Sequence, residues 1–475
     1  MNRQLPRIIQ GGMGVAVSSW PLAQAVSRRG QLGVVSGTAI DAVLVRRLQL
    51  GDPGGHLRVA FDAFPIPDVA ARVWRRYFIE GGKPAGARFK AKPVPSIRMP
   101  APLLDLLVVA NFAEVYLAKA GHSGLVGINL LEKIQLPNLA SLFGAMLAGV
   151  DVVLMGAGIP RSIPAILDCF AAGKPAELRL DVAGALPGET FCTSFDPRKY
   201  LPSGVGTLPR PQFLAIVSSS VLAMNLARKS TGKVDGFIVE GHTAGGHNAP
   251  PRGSLMLDMN NEPVYGPRDT PNLEQIRELG LPFWLAGSYG DAAGLQSAIA
   301  LGARGIQVGT AFAFCEESGL SPEIRKTVLR MASEGTVKVF TDPYASPTGF
   351  PFKVVQVDGT VSQPEVFAAR QRVCDLGVLR ECYRQKDGTI GYRCAGEPLD
   401  DYMRKGGNEA DTIGRKCVCN GLMSVVGYGQ ISHDGKLEPS LVTAGDEVAR
   451  IRHFLRPGRT TYSADDVLDC LLGIP

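Results

Sequence analysis

The sequence predicts an α/β fold, a TIM (β/α)8 barrel with insertions and a C-terminal α-rich, irregular appendage. Three observations carry this. Short runs that are apolar on consecutive residues alternate with helical stretches through the first two-thirds of the chain. Strands buried on both faces have that pattern, and alternation with helices implies a parallel sheet with right-handed crossovers. Eight such units in sequence favour a closed barrel over an open sheet. Glycine follows most of the runs, where a barrel carries its functional loops.

The eight strands are read at Arg7–Gln10, Leu32–Ser36, Leu125–Leu130, Asp151–Met155, Phe213–Val217, Asp235–Val239, Pro282–Ala286 and Gly305–Val308. Helices are expected over Ser19–Arg29, Leu136–Gly149, Ser219–Lys229, Ala292–Leu301 and Pro322–Ala332. Two further runs, Leu106–Ala110 and Leu178–Val182, are strand-like and lie outside the count. We divide the chain into a barrel over 1–334, with insertions at about 42–100 and 184–210, and an appendage over 335–475 packed on it. The first insertion is Pro- and Arg-rich, with a helix near Pro67–Glu80. The second is a Pro/Gly-rich excursion.

Composition narrows the function. In 475 residues, 45% are hydrophobic and 20% charged, which excludes intrinsic disorder. The net charge of +6 is spread along the chain, so no nucleic-acid partner is expected. Apolar runs such as Leu103–Phe112 are too short to span a bilayer, and no signal peptide precedes the first strand, so no membrane partner is expected. The nine cysteines then read as reduced thiols of a cytoplasmic protein.

The strand ends hold the chemistry. They read Gly11-Gly12-Met13-Gly14 after strand one, Gly127-Ile128-Asn129 at strand three, and Gly156-Ala157-Gly158 after strand four. Strand six leads into Glu240-Gly241-His242-Thr243-Ala244-Gly245-Gly246-His247. Gly287-Ser288 and Gly309-Thr310 follow strands seven and eight, the usual phosphate position of this architecture. Backbone amides there, with two hydroxyls, suit the phosphate of flavin mononucleotide, although tight strand-to-helix turns use the same glycines. His247 follows two glycines and suits proton transfer. Zinc at His242 and His247 lacks a third ligand nearby.

Other residues keep two readings. Glu132 and Lys133 either reach the ligand or form a surface ion pair. Arg161 either binds an acidic substrate or is solvated. Ser346-Pro347-Thr348-Gly349-Phe350-Pro351 either covers the site or links to the appendage. Cys374, Cys394, Cys417 and Cys419 lack paired Cys-x-x-Cys spacing, so zinc or an iron–sulfur cluster gives way to buried structural thiols; no metal ligand is assigned. Cys315 is read as core.

The Gly-Gly-Met-Gly start, Gly-Ile-Asn, Ala244-Gly245-Gly246-His247, Leu285-Ala286-Gly287-Ser288 and Leu301-Gly302-Ala303-Arg304-Gly305-Ile306-Gln307-Val308-Gly309-Thr310 resemble the nitronate monooxygenase (2-nitropropane dioxygenase) family. That family also includes flavin-dependent enoyl-carrier-protein reductases. The resemblance covers roughly Pro6 to Ser318. It implies a TIM barrel that binds FMN non-covalently, with His247 as the catalytic residue. By the same resemblance, FMN contacts fall on Gly12, Met13, Asn129, Ala244, Gly245, Gly287, Ser288, Gln307, Gly309 and Thr310. The implied activity is oxidation of small nitroalkanes or nitronates by O2 to a carbonyl product and nitrite. The alternative is an NAD(P)H-dependent enoyl-thioester reductase served by an acyl carrier protein. A homodimer is compatible with either. The long segment before strand three and the Cys-bearing C-terminal third have no counterpart in the compact members.

Overall fold

A computed structural model describes residues 4–201 and 206–474. Residues 202–205 of the second insertion, the first three residues and Pro475 lie outside it. Eight parallel strands form one sheet: β1 Ile8–Gln10, β2 Gly33–Ser36, β3 Val126–Leu131, β4 Val152–Gly156, β5 Gln212–Val217, β6 Gly236–Glu240, β7 Phe283–Ala286 and β8 Gly305–Val308. Each strand pairs with its sequence neighbour from β2 to β8, and β8 pairs with β1. A parallel bridge between Ile9 and Leu32 shuts the ring, with Gln10 N–H on the Leu32 carbonyl at 2.9 Å and Leu32 N–H on the Ile8 carbonyl at 3.1 Å. The predicted TIM barrel is therefore present, with all eight strands within one or two residues of their expected bounds.

Side chains alternate in and out of the ring. Ile9, Val34, Leu154, Leu214, Ile238 and Trp284 form a small buried cluster of their own, separate from the main core. Trp284 is 1% exposed, and its indole N–H donates to the Pro6 carbonyl at 3.0 Å. The outward-facing residues join the helices in the main core. Ser219 caps the helix after β5, and Asp291 caps the helix after β7, each accepting a backbone N–H two or three residues on.

Two readings need correction. The strand-like run Leu106–Ala110 lies in the middle of a helix, Ala101–Lys119. That helix is apolar on nearly every side and buried from Leu103 to Ala118, so periodicity could not separate it from a buried strand. It is also long and apolar enough to cross a membrane, unlike the shorter run read from sequence, and 78% of its apolar window is buried inside the protein. The segment ahead of it holds three helices, Ile40–Gln49, His56–Asp62 and Pro67–Tyr77, rather than one. The second extra run contributes strands Ala176–Arg179 and Val182–Ala183, which pair outside the barrel.

The region after the barrel starts with a hairpin, β9 Val339–Asp342 and β10 Phe352–Val355. A second hairpin, Glu381–Arg384 with Ile390–Arg393, pairs with Val182–Ala183. Residues 441–447 return to the top of the barrel, and the final helix Ala464–Leu472 is tied to Arg29 by Asp465 and Asp469 at 2.9 and 2.7 Å.

Candidate active site

The inward register decides what reaches the open end of the barrel. Gly11, Ser36, Asn129, Gly156, Ile216, Glu240, Ala286 and Gln307 stand at or just past the carboxyl ends of the eight strands, and all line one central cavity of about 210 Å³. Every residue expected from sequence lines the same cavity: Gly12, Met13, Asn129, Ala244, Gly245, His247, Gly287, Ser288, Gln307, Gly309 and Thr310. Two glycines are fixed by close approach. A Cβ on Gly12 would sit 2.2 Å from Asn129 Cβ, and one on Gly245 would sit 2.8 Å from the Ala444 carbonyl carbon. At the β7 end Gly287 has φ +95° and Ser288 φ +59°, so Ser288 holds a left-handed conformation that few non-glycine residues adopt.

Residues from the region after the barrel complete the wall. Thr443, Ala444, Glu447, Val418, Cys419, Leu422, Val378 and Leu379 all face the cavity. Gly445 N–H donates to the Thr310 hydroxyl at 2.9 Å, and Gly246 N–H to the Thr443 hydroxyl at 3.0 Å. The Glu447 carboxylate accepts Gly290 N–H at 3.1 Å, and burial raises its pKa.

His247 is held by the β9–β10 hairpin. It forms a bridge with Phe352, while Lys353 N–H donates to the Gly246 carbonyl at 3.0 Å. Its Nε2 lies 2.7 Å from Ser346 Oγ, and Ser346 Oγ lies 2.8 Å from Thr348 Oγ1. Phe352 packs edge-on against the imidazole at 4.8 Å. Burial, and then the positive charge of Lys133, lower the His247 pKa to about 4, so the ring is neutral at neutral pH. The Ser346–Pro351 turn is thus part of the site and not a plain linker.

Glu240, the first residue read after strand six, has no role assigned from sequence. The register turns it inward, and burial raises its pKa to about 7. It shares with His247 the wall between the central cavity and a side cavity of about 470 Å³. His242 faces only the side cavity, stacked on Tyr265 at 4.4 Å.

A third, larger groove of about 890 Å³ opens beside the central cavity. The two share Thr38, Leu131, Val378 and Leu379. Lys133, Arg161, Arg179 and Arg380 line this groove. Lys133 and Glu132 form no ion pair among the described residues. Lys133 Nζ sits 4.1 Å above the Phe350 ring, and Glu132 accepts from Gln135 at 3.0 Å. Arg161 donates to Asn225 at 2.8 Å.

Parts of the chain are similar to known proteins. Residues 209–344, from the start of β5 into the first appended hairpin, match the family profile described as nitronate monooxygenase. A Mycobacterium tuberculosis (3aS,4S,5R,7aS)-5-hydroxy-7a-methyl-1-oxo-octahydro-1H-indene-4-carboxyl-CoA dehydrogenase is 31% identical over 124 residues, 26% of this chain and 32% of that protein. A probable nitronate monooxygenase of Staphylococcus aureus is 31% identical over 113 residues, 24% of this chain and 30% of that protein. The chain thus spans about a third of the length of the curated relatives it matches. Among solved structures, FabK from Thermotoga maritima aligns over 99% of this chain and 92% of its own at 15% identity, with a TM-score of 0.47. The nitroalkane oxidase from Streptomyces ansochromogenes aligns over 99% and 96% at 13% identity, with a TM-score of 0.49. With its profile match over the second half of the barrel and its strand-end motifs around one cavity, the chain is similar over that region to the nitronate monooxygenase family.

Proposed function

We propose that this protein is an FMN-dependent oxidoreductase acting on an α,β-unsaturated acyl thioester with NAD(P)H as electron donor. The observation that carries the substrate class is the 890 Å³ groove continuous with the central cavity. A small nitroalkane would leave this groove unused. A thioester with a long phosphate-bearing arm, on coenzyme A or an acyl carrier protein, needs a groove of this size, and Lys133, Arg161, Arg179 and Arg380 offer it cations among the carboxylates of Glu132, Asp181, Glu189 and Glu381.

The central cavity fits the flavin. Gln307 Oε1 is buried there without a donor, which suits a ligand with N–H groups of its own. Gly12 and Gly245 leave the backbone open to a flat ring, and Gly287, Ser288, Gly309 and Thr310 would hold the phosphate. Glu447 accepts the Gly290 N–H near that position, and burial raises its pKa. FMN, when bound, supplies hydride transfer between the nicotinamide and the substrate.

The residues would then divide the work. With Nε2 of neutral His247 accepting from the Ser346 hydroxyl, its proton sits on Nδ1, where it can donate to the thioester carbonyl and favour the charge that develops there. Glu240, with a pKa near 7, can hold the proton that Cα receives. Phe350, Phe352 and Leu379 keep water from the imidazole side.

One observation favours the nitronate reading: His247 is enclosed and neutral, so Nδ1 could equally donate to a nitro oxygen. Anaerobic titration separates the two. Rapid bleaching by NAD(P)H, with colour restored by an enoyl thioester, is the expected result. Absence of bleaching, together with nitrite release from nitronates in air, would overturn it in favour of the monooxygenase.

A further inference from the structure

The region after the barrel gathers four of the nine cysteines at one place. Cys374 lies in a loop, Cys394 just past the strand Ile390–Arg393, and Cys417 and Cys419 at the start of the helix Val418–Ser424. They are near enough to interact electrostatically in every pairing: Cys419 with Cys374, Cys394 and Cys417, Cys394 with Cys374 and Cys417, and Cys374 with Cys417. None is paired in a disulfide. Their spacing, which from sequence argued against ligands, conceals this convergence because three separate loops bring them in.

Burial raises the pKa of all four thiols, and the backbone N–H groups of Gly377, Gly396, Asn420 and Leu379 oppose it at Cys374, Cys394, Cys417 and Cys419 respectively. Asn420 Nδ2 lies 3.5 Å from Cys417 Sγ, and the Arg370 guanidinium faces the same sulfur. Arg372 faces Cys394 and Cys417. Arg370 Nη2 and Arg372 Nη1 are both buried without an acceptor, although the Arg370 side chain is only 3% exposed. Leaving buried guanidinium N–H groups unmet is costly. Glu438 engages Arg370 through Nε alone, at 2.5 Å. Glu397, the carboxylate facing Cys374 and Cys394, is taken up by Lys405 at 2.7 Å. Neutral thiols would be weak acceptors for this set of donors. A thiolate-bound centre with net negative charge and bridging sulfides would accept all of them.

The donor set selects the class. Four sulfurs without His, Asp or Glu suit zinc or an iron–sulfur centre. Among the described residues no three His, Cys, Asp or Glu side chains are gathered closely enough to hold a metal ion. A polynuclear cluster spreads its cysteines over a wider sphere, and N–H···S bonds are among the factors that set its potential. We propose that Cys374, Cys394, Cys417 and Cys419 ligate an iron–sulfur cluster set into the wall of the central cavity. Cys419 lines that cavity together with Val418 and Leu379, so the cluster abuts the proposed flavin site. The assignment does not depend on the flavin reading, since it is measured on iron and sulfide.

The test is the full chain purified without oxygen and reconstituted with ferrous iron and sulfide. About two to four irons per chain with matching acid-labile sulfide, and a paramagnetic signal after dithionite reduction, are expected. Cys394→Ser and Cys417→Ser should each lose that iron and sulfide, while Cys192→Ser, on an exposed strand, should keep both. Iron and sulfide far below one per chain after reconstitution would overturn the proposal. So would stoichiometric zinc without sulfide, or full iron retention in Cys394→Ser. If the serine variants do not fold, the iron, sulfide and paramagnetic signal of the unaltered chain decide alone.

Discussion

The ends of β7 and β8 and the end of β6 serve one cavity but are built by different means. At β7 and β8 the surface is backbone: Gly287, Ser288, Gly309 and Thr310, each a few residues from the strand that positions it. At β6 the surface is side chain. His247 shares a hydrogen bond with Ser346, 99 residues downstream, and packs against Phe350 and Phe352. Holding a cofactor can be written locally, because a tight turn is a local property. Setting the state of a titratable group cannot, because it depends on what the whole chain packs around it.

Substitutions can break this comparison at its strongest point first. Glu240→Gln removes the group placed to hold the Cα proton, and turnover of an enoyl thioester should fall by about 10²–10⁴ with flavin content unchanged. The pH profile sharpens the same claim. The rate should require Glu240 protonated and His247 neutral, so kcat/KM should be flat between about 4 and about 7. It should fall about tenfold per unit above the upper limit, as Glu240 ionises, and likewise below the lower limit, as His247 gains its proton. In Glu240→Gln the upper limb should vanish from the residual activity. A residual profile still breaking near 7 would assign that limb to another group.

His247→Ala should cost about 10²–10³ in kcat, the scale of one lost donor to a developing oxyanion. Ser346→Ala leaves the imidazole in place and removes only its partner, so the loss should be near 1 kcal/mol, roughly fivefold, and should fall on kcat more than KM. Equal losses in the two variants would mean that Ser346, not His247, meets the substrate.

Gly245→Ala tests the backbone side. Its methyl group would press on Ala444, and the displaced 441–447 segment should lower thermal stability by about 1–3 kcal/mol and weaken flavin retention. Unchanged melting and flavin content would show that the close approach is not a constraint.

The same division explains what could be read from the sequence. The eight strands were legible because both faces are buried, which leaves consecutive apolar residues. The glycine turns and His247 were legible because their motifs are contiguous. Ala101–Lys119 was not, since a helix buried on every side has no polar stripe to reveal its period. Glu240 had one available signal, an acidic residue at an inward register position opposite Ala286 of the neighbouring strand. Ser346, Thr443 and Glu447 had none, because only the return of distant loops brings them to the barrel mouth.

The contact between Gly445 and Thr310 spans 135 residues. During synthesis every barrel strand has left the ribosome long before Gly445 is made, and domains begin to fold as they emerge. The barrel can therefore close while one wall of its mouth does not yet exist. Loading of the cavity belongs to the last stage of maturation, so a nascent chain arrested before residue 441 should be a folded barrel that cannot keep its ligand.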